Sequence, residues 1–291
     1  MEEKTAHIDK IVYSLWTKPS GNILENATNW YSPKAQIACL ALSVLISKRF
    51  FSEIELITDS EGWEAIEPLG LPFTSVETIL DEIPEHQAGF WALGKIYAYK
   101  NQKKSFVHLD NDAILWKGLP KWAEKAPLFV QNTEDKNWFK QVYTPEINHA
   151  NKVLSYFPKH WGTTKEAFCT GIFGGTDIEF IQHYCDEALK FINHKHNHEG
   201  WKAIKNKGSY CIVFEQYILA CLAECHKKRV VFFDKFLNKQ RLRNLGYTHI
   251  WGGKKDKAIE ATLLKRLQRE DPDMLQNVLK LFKTAGQNQA A

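Results

Sequence analysis

The chain has 291 residues, with 38 Lys and Arg against 34 Asp and Glu, so its formal net charge is only +4. A charge this small provides no polyanion-binding surface and argues against nucleic acid as a partner. Aromatic residues make up 13% of the chain and hydrophobic residues 44%, which excludes intrinsic disorder as the main state. The length suits one large α/β domain or two small ones.

Targeting signals and disulfides are not expected. The first ten residues, MEEKTAHIDK, lack the apolar run of a signal peptide. The most apolar helical stretch, residues 35–46, is shorter than the roughly 20 residues that a transmembrane helix needs. Six cysteines form no CxxC pair, and several lie in apolar stretches, so we expect reduced thiols. These features predict a cytoplasmic protein with no transmembrane segment.

The first half of the chain alternates predicted strands and helices. One helix begins at Ser32-Pro33, an N-cap residue followed by proline at the first helical position, and a second covers residues 88–101. The predicted strands are 10–16, 54–58, 73–76, 105–109 and 113–116. This alternation favours right-handed βαβ units and a mostly parallel sheet.

The second half continues the pattern and ends in helices. Its predicted strands are 128–131, 171–174 and 230–233. Its predicted helices are 178–193 and 211–224. A lysine-rich helical stretch with an apolar stripe follows residue 253. We therefore expect an α/β fold with a single domain over residues 1–255 and a C-terminal helical extension over 256–291. The basic helices of the extension could pack on the domain or contact an anionic membrane.

Two aspartates one residue apart form the sharpest motif. Asp110-Asn111-Asp112 follows an apolar strand, where an open α/β sheet usually carries its ligand site. Residues i and i+2 of an extended or tightly turned backbone point the same way, so both carboxylates can converge on one hard cation. Mn²⁺ or Mg²⁺ accepts carboxylate oxygens and leaves positions for diphosphate oxygens. The alternative is a plain Asx-rich turn between two strands.

A second motif lies near the start of the C-terminal helices. In His249-Ile-Trp-Gly-Gly-Lys-Lys255, a histidine leaves an apolar stretch, and two glycines allow a ligand close to the backbone. A neutral imidazole could complete the shell of a cation, while Lys254 or Lys255 meets phosphate charge. The alternative is a Gly-Gly turn followed by solvated lysines.

Together, the two motifs resemble GT-A-fold glycosyltransferases that use nucleotide-sugar donors. The pattern is closest to the family of glycogenin and the bacterial lipopolysaccharide galactosyl- and glucosyltransferases, although an unassigned bacterial family could share the same GT-A plan. That family carries a DxD and, further on, H-x-x-G-x-x-K, which falls here on His249, Gly252 and Lys255. The resemblance implies that Asp110, Asp112 and His249 hold the metal and that Lys255 meets the donor diphosphate.

The resemblance also assigns residues between these motifs. Cys169-Thr170-Gly-Ile-Phe-Gly-Gly175 looks like the family's acceptor-side segment, but Cys169-Thr170 replaces the usual Asn-Ser or Asn-Ala. Glu215-Gln216 stands where the family has Asp-Gln. Both residues are catalytic candidates, and Asp177 joins them because an inverting reaction would need a carboxylate to deprotonate the acceptor hydroxyl.

Several further positions are candidates for binding the donor. Ser14 and Trp16 end the first strand, where GT-A enzymes hold the base and ribose, although packing is the favoured role of Trp16. Asp59 could bind a ribose hydroxyl or cap a helix. Lys95 resembles a basic residue that neutralises donor phosphate, and a solvated helix lysine is the alternative. Asn111 and Gly252 complete the predicted donor contacts.

These features predict a metal-dependent hexosyltransferase that moves a sugar from a nucleotide diphosphate sugar, expected to be a UDP-sugar, to a glycan or lipid-linked acceptor. The resemblance favours retention of anomeric configuration over inversion. Two other functions stay open. Nucleotidyl transfer to a sugar phosphate also uses carboxylate-held Mg²⁺, although residues 17–21 make a poor version of its Gly-rich loop. A non-catalytic nucleotide- or carbohydrate-binding protein of the same fold is the other alternative.

Overall fold

The computed structural model describes residues 8–288, which divide into two compact units. The N-terminal unit comprises residues 9–83, 109–119 and 243–288. The central unit comprises residues 8, 84–108 and 120–242. The predicted domains, 1–255 and 256–291, include residues 1–7 and 289–291, which lie outside the described part, and that division stays a prediction.

Nine strands occur within the described residues, and their pairings are given below. They are β1 Lys10–Leu15, β2 Glu53–Thr58, β3 Ser75–Glu77, β4 Phe106–Leu109, β5 Ala113–Leu115, β6 Leu128–Thr133, β7 Phe168–Gly175, β8 Val230–Phe232 and β9 Tyr247–His249.

The α-helices of the described chain vary from single turns to 17 residues. They are α1 Pro33–Ser47, α2 Ser60–Ile66, α3 Leu93–Asn101, α4 Lys136–Trp138, α5 Thr144–Val153, α6 Ile178–Asn193, α7 His198–Ala203, α8 Ile218–Cys225, α9 Lys239–Asn244, α10 Lys257–Glu270 and α11 Pro272–Asn288. Two π-helical turns, Phe139–Tyr143 and Val213–Tyr217, precede α5 and α8.

In the N-terminal unit, β1, β2 and β3 form parallel pairs, and Tyr13 of β1 stands opposite Leu56 of β2. The apolar helix α1 is buried along most of its length. Its start follows the predicted capping chemistry, since the Ser32 hydroxyl accepts a hydrogen bond from the backbone N–H of Ala35 at 3.0 Å. Pro33 then occupies the first helical position, where its missing N–H costs nothing.

The C-terminal helices belong to the same unit and contact α1. Leu263 and Leu267 of α10, and Met274, Leu275 and Val278 of α11, are buried. The apolar stripe of these helices therefore faces the protein. Packing, one of the two uses left open by the sequence, accounts for it.

In the central unit, β7 lies between β4 and β6, and β8 forms the edge beside β6. The β6–β8 pair is parallel and the β6–β7 pair is antiparallel. Gly174 makes the β4–β7 approach possible, because a Cβ there would lie 2.1 Å from the carbonyl oxygen of Phe106. The glycine pair of this strand therefore has a packing role.

The predicted α/β class, with a mostly parallel sheet flanked by helices, is confirmed. The predicted helix over residues 88–101 is wrong at its start, since α3 begins only at Leu93. All six cysteines are free, as expected. No helix within residues 8–288 combines the length and apolar character needed to cross a bilayer.

Candidate functional site

A tight turn joins β4 to β5 and carries the two aspartates of the DxD motif. The backbone N–H of Ala113 donates to the carbonyl oxygen of Asp110 at 2.9 Å, which closes the turn. Asn111 fastens it to β1, because its side-chain amide donates to the carbonyl oxygen of Ser14 at 2.8 Å. The middle residue of the motif thus holds the turn in place, and Ser14 contributes a backbone acceptor.

The antiparallel pair β5–β9 brings His249 to this turn. Ala113 stands opposite His249, and the backbone N–H of Ile250 donates to the carbonyl oxygen of Asp112 at 2.9 Å. His249 Nε2 then lies 3.3 Å from Asp112 Oδ1. A strand pairing between distant parts of the sequence therefore assembles the cluster.

Asp110, Asp112 and His249 each offer one ligand atom, and these atoms lie within 4.8 Å of one another. Ligands of a small divalent cation lie about 3 to 4 Å apart, since each stands about 2.1 Å from the ion, so a small adjustment suffices. Two carboxylates and one imidazole form a hard, mostly anionic donor set. The donor chemistry therefore fits the Mn²⁺ or Mg²⁺ that the sequence resemblance implies.

Lys254 also contacts this cluster. Its ammonium group forms an ion pair with Asp112, whose side chain is buried, and lies 5.8 Å from the centre of the Trp30 ring. Burial alone would raise the pKa of Asp112, but the charges and hydrogen bonds of His249 and Lys254 hold it well below its usual value. The carboxylate is therefore ionised at neutral pH, as a metal ligand must be.

The remainder of the H-x-x-G-x-x-K segment is a turn leading into α10. The N–H of Gly253 donates to the carbonyl oxygen of Ile250 at 2.7 Å. Apart from its two chain neighbours, no described residue has an atom within 4 Å of the point where a Cβ on Gly252 would stand, so the backbone there is open to approach. The Lys255 side chain is exposed.

Two residues that were predicted to contact the donor, Asp59 and Trp16, lie in structural contacts. Both oxygens of the Asp59 carboxylate are used: Oδ1 caps α2 by accepting from Gly62 N at 3.0 Å, and Oδ2 accepts from Thr17 Oγ1 at 2.7 Å. Trp16 is 9% exposed, and its indole nitrogen has no hydrogen-bond partner within the described residues. Asp59 therefore caps a helix and Trp16 is buried, and the contacts of both residues with a donor stay predictions.

A second cluster lies in the central unit and contains Lys95, Thr170 and Glu215. The Thr170 hydroxyl donates to Glu215 Oε1 at 2.6 Å, and the Lys95 ammonium pairs with the same carboxylate. Lys95 Nζ also lies 3.3 Å from Thr170 Oγ1. The Glu215 side chain is fully buried, so these two partners compensate a charge that would otherwise be very costly. Within its own unit, the Lys95 ammonium is therefore paired with a buried carboxylate.

Gln216 follows Glu215 in a π-helical turn, a feature frequent at functional sites. Its side-chain oxygen accepts a hydrogen bond from the Tyr143 hydroxyl at 2.5 Å. Burial, followed by the charges of Glu134, Cys169 and Glu215, raises the pKa of Tyr143, which keeps the hydroxyl protonated. The Tyr143 hydroxyl therefore fixes the side-chain oxygen of Gln216.

Asp177, the third catalytic candidate, begins α6. Its Oδ1 accepts from the backbone N–H of Phe180 at 3.1 Å, and its Oδ2 pairs with Lys228 at 2.6 Å. The side chain is partly exposed. The carboxylate is therefore a helix cap with a lysine partner.

Sequence reasoning missed three contacts that shape these clusters. They are the ion pair between Lys254 and Asp112, the anchor from Asn111 to Ser14, and the hydrogen bond from Tyr143 to Gln216. The first had a sequence signal, since two adjacent lysines follow the Gly-Gly pair. The other two join residues 97 and 73 positions apart, for which no local pattern exists.

A family model matches residues 9–281. The chain belongs to the family of unknown function DUF6734. A sequence search found no match among curated proteins.

Three solved structures are distantly similar. Mouse xyloside xylosyltransferase 1 is 11% identical, with a TM-score of 0.42, over 77% of this chain and 84% of its own. A glycosyltransferase involved in the glycosylation of the major capsid of PBCV-1 is 13% identical, with a TM-score of 0.37, over 87% and 98%. The inositol-1-phosphate CTP transferase from T. maritima is 11% identical, with a TM-score of 0.36, over 91% and 98%. At these scores the likeness assigns no activity to this chain.

Proposed function

We propose that this protein is a metal-dependent glycosyltransferase that takes its sugar from a nucleotide diphosphate sugar, with UDP as the nucleotide. The observation that carries the proposal is the group of Asp110, Asp112 and His249, whose ligand atoms lie within 4.8 Å of one another. The DxD and H-x-x-G-x-x-K motifs that supply these residues are those of the GT-A-type enzymes that the sequence resembles.

In this proposal the three residues hold one Mn²⁺ or Mg²⁺. When bound, such a cation supplies Lewis-acid stabilisation of the negative charge that develops on the departing diphosphate. Asp112 is suited to this role because its neighbours keep it ionised. Asn111 supports it indirectly, by fixing the turn to β1.

The lysines after the Gly-Gly pair add positive charge for the diphosphate. Lys254 already lies beside the Asp112 carboxylate, and Lys255 is exposed and able to reach a ligand. The open backbone at Gly252 allows phosphate oxygens close to its N–H group. Positive charge fixed near the leaving group stabilises the transition state more than the ground state.

The proposal includes retention of anomeric configuration. An inverting enzyme needs a free carboxylate to deprotonate the acceptor. Asp177 is a helix cap that pairs with Lys228. Glu215 pairs with Lys95 and accepts a hydrogen bond from Thr170. Neither carboxylate is therefore free to deprotonate an acceptor hydroxyl. In this proposal the Gln216 amide donates hydrogen bonds to substrate, and the buried Glu215 holds Lys95 and Thr170 in place.

Calorimetric titration of UDP with and without Mn²⁺ tests the metal-dependent donor site. We expect UDP binding to require Mn²⁺ and to fall at least about tenfold in Asp112→Asn, which loses one ionised ligand. Asp273→Asn, an exposed aspartate on α11, is the matched control and should bind UDP like the unmodified protein. Equal UDP affinity in all these conditions would contradict the proposal.

Product analysis separates the proposed reaction from the two alternatives. Hydrolysis or transfer from a panel of nucleotide sugars, with release of nucleoside diphosphate, is the expected result. Release of pyrophosphate from a nucleoside triphosphate and a sugar phosphate would instead identify a nucleotidyltransferase. UDP binding without any turnover of the panel would identify a binding protein.

A further inference from the structure

The segment after β8 displays the most exposed large hydrophobic side chain of the described chain. Phe236 is 78% exposed, whereas Phe233, three residues earlier, is buried. Residues 226–241 contain six basic residues and one acid, Asp234, which is itself buried. The basic residues are Lys227, Lys228, Arg229, Lys235, Lys239 and Arg241, all exposed except the half-buried Lys228.

This segment is an ordered turn that holds Phe236 outward. The N–H of Asp234 donates to the carbonyl oxygen of Gln131 at 2.9 Å, which fastens the turn to β6. The Asp234 carboxylate accepts from the N–H of Asn238 at 2.7 Å and so closes the turn. Leu237 adopts a φ of 54°, a conformation that side-chain-bearing residues adopt only under constraint.

Cationic and aromatic groups are presented together on this turn. The Lys235 ammonium lies 5.8 Å from the ring centres of both Phe232 and Phe236. Trp122 adds a second exposed ring beside the segment, since it is 45% exposed and packs edge-on against Phe233 at 5.4 Å. An exposed aromatic ring with a lysine ammonium beside it matches the chemistry of a bilayer interface, in which rings enter the headgroup layer and cations meet anionic lipids.

We propose that the Phe236 turn, residues 233–241, docks the protein on an anionic lipid bilayer as a peripheral membrane protein. The turn itself carries three exposed basic residues, Lys235, Lys239 and Arg241, of which Arg241 lies 3.6 Å from the buried Asp234 carboxylate. The two lysines and the exposed ring favour this occupant, because an anionic bilayer offers headgroup charge and an apolar layer together. The basic helices α10 and α11 are less suited, because their apolar stripe is buried. The inference is independent of the proposed transferase activity.

Co-sedimentation of the full chain with lipid vesicles tests the proposal. We expect binding to phosphatidylcholine vesicles that contain about 30% phosphatidylglycerol and no binding to pure phosphatidylcholine, since the attraction depends on anionic headgroups. Phe236→Ser should reduce the bound fraction at least about fivefold by removing the inserted ring. Lys235→Ser combined with Lys239→Ser should reduce it similarly, and high salt should abolish it.

The control variant replaces an exposed apolar residue by serine on a different basic surface, that of the C-terminal helices. Leu279→Ser removes an exposed apolar residue of α11 and should leave vesicle binding unchanged. Unchanged thermal unfolding of each variant by circular dichroism shows that the fold is intact. The proposal is overturned if the unmodified protein does not bind anionic vesicles or if Phe236→Ser binds them as the unmodified protein does. It is also overturned if Leu279→Ser is the variant that loses vesicle binding. The first of these outcomes would leave a protein partner as the occupant of the turn.

Discussion

Lys254 pairs with Asp112 at the residue group that also contains Asp110 and His249. The ammonium group thus provides positive charge at one of the carboxylates that would hold the proposed divalent cation. A lysine and a cation that meet the same carboxylate compete for it, because each gains most of its stabilisation from that negative charge.

Replacing Lys254 should therefore separate metal binding from nucleotide binding. In Lys254→Ala we expect Mn²⁺ alone to bind several-fold more tightly, since the competing ammonium is gone. UDP in the presence of Mn²⁺ should bind about tenfold more weakly, because a charge-assisted contact is lost. Calorimetry measures both. Lys255→Ala, which removes an exposed lysine, should leave the affinity for Mn²⁺ alone unchanged. A fall in that affinity in Lys254→Ala would contradict the competition.

The buried pair of Lys95 and Glu215 should show strong coupling in stability. Lys95→Met leaves the fully buried Glu215 carboxylate without its ion-pair partner and should cost about 3–5 kcal/mol of unfolding free energy. Glu215→Gln should cost less, because Lys95 reaches some solvent. The double variant should be more stable than the sum of the single effects predicts. Denaturant unfolding measures all three, and additive effects would disprove the coupling. If the Lys95–Glu215 pair also supports the proposed reaction, the double variant regains stability without regaining transferase activity.

Tyr143→Phe tests whether the orientation of Gln216 matters for the proposed reaction. Removal of the hydroxyl frees the side-chain oxygen of Gln216, so we expect kcat to fall about tenfold with little change in KM for the donor. Stability should fall by about 1 kcal/mol. Tyr217→Phe is the matched control: its hydroxyl donates to the carbonyl oxygen of Thr164 at 3.3 Å, in the same core cluster. Equal kcat losses in both variants would indicate a purely structural role.

Substitution by alanine should change the stability of the protein very differently at two glycines of the predicted motifs. Gly174→Ala places a Cβ 2.1 Å from the carbonyl oxygen of Phe106 and should destabilise the protein by more than about 3 kcal/mol. Gly252→Ala meets no atom of the described residues within 4 Å, its two chain neighbours aside, and should change stability by less than about 0.5 kcal/mol. If a phosphate approaches this backbone, Gly252→Ala still weakens UDP binding. Thermal unfolding and calorimetry distinguish these outcomes, and a destabilised Gly252→Ala would show that the turn itself needs glycine.

His108 should make the stability of the protein dependent on pH. Burial, followed by the charge of Lys95, lowers the pKa of this histidine well below its usual value. The unfolded chain therefore binds a proton at His108 more readily than the folded chain does. The contribution of His108 to stability is present above about pH 6.5, the ordinary histidine pKa, and is lost as the pH falls below it.

The measurement is the unfolding free energy of His108→Gln between about pH 5 and 8, the range that brackets histidine titration. We expect this variant to be less stable at neutral pH and to depend less steeply on pH than the unmodified protein. His86→Gln, which changes an exposed histidine, should retain the full slope. An unchanged slope in His108→Gln would place the responsible group elsewhere.

Local patterns were sufficient for much of the fold. Apolar runs predicted β1, β2 and β4, and Ser32-Pro33 predicted the start of α1, because strand burial and helix capping depend on neighbouring residues. The start of α3 was missed, since residues 85–90 satisfy their backbone groups in a 3₁₀ turn and tight turns instead. The π-helical turns gave no local signal, because they depend on packing between segments.

For the candidate site, the sequence determined which residue types are available and in what order. Asp110, Asp112 and His249 are predicted as metal ligands from their motifs, but their proximity depends on the register of β5 against β9, which a local pattern does not fix. The ion pairs of Lys254 and Lys95 were likewise decided by tertiary structure, since each lysine pairs with the carboxylate that folding buries beside it. Sequence supplies the chemical groups, and the long-range pairing of strands and charges decides which of them meet.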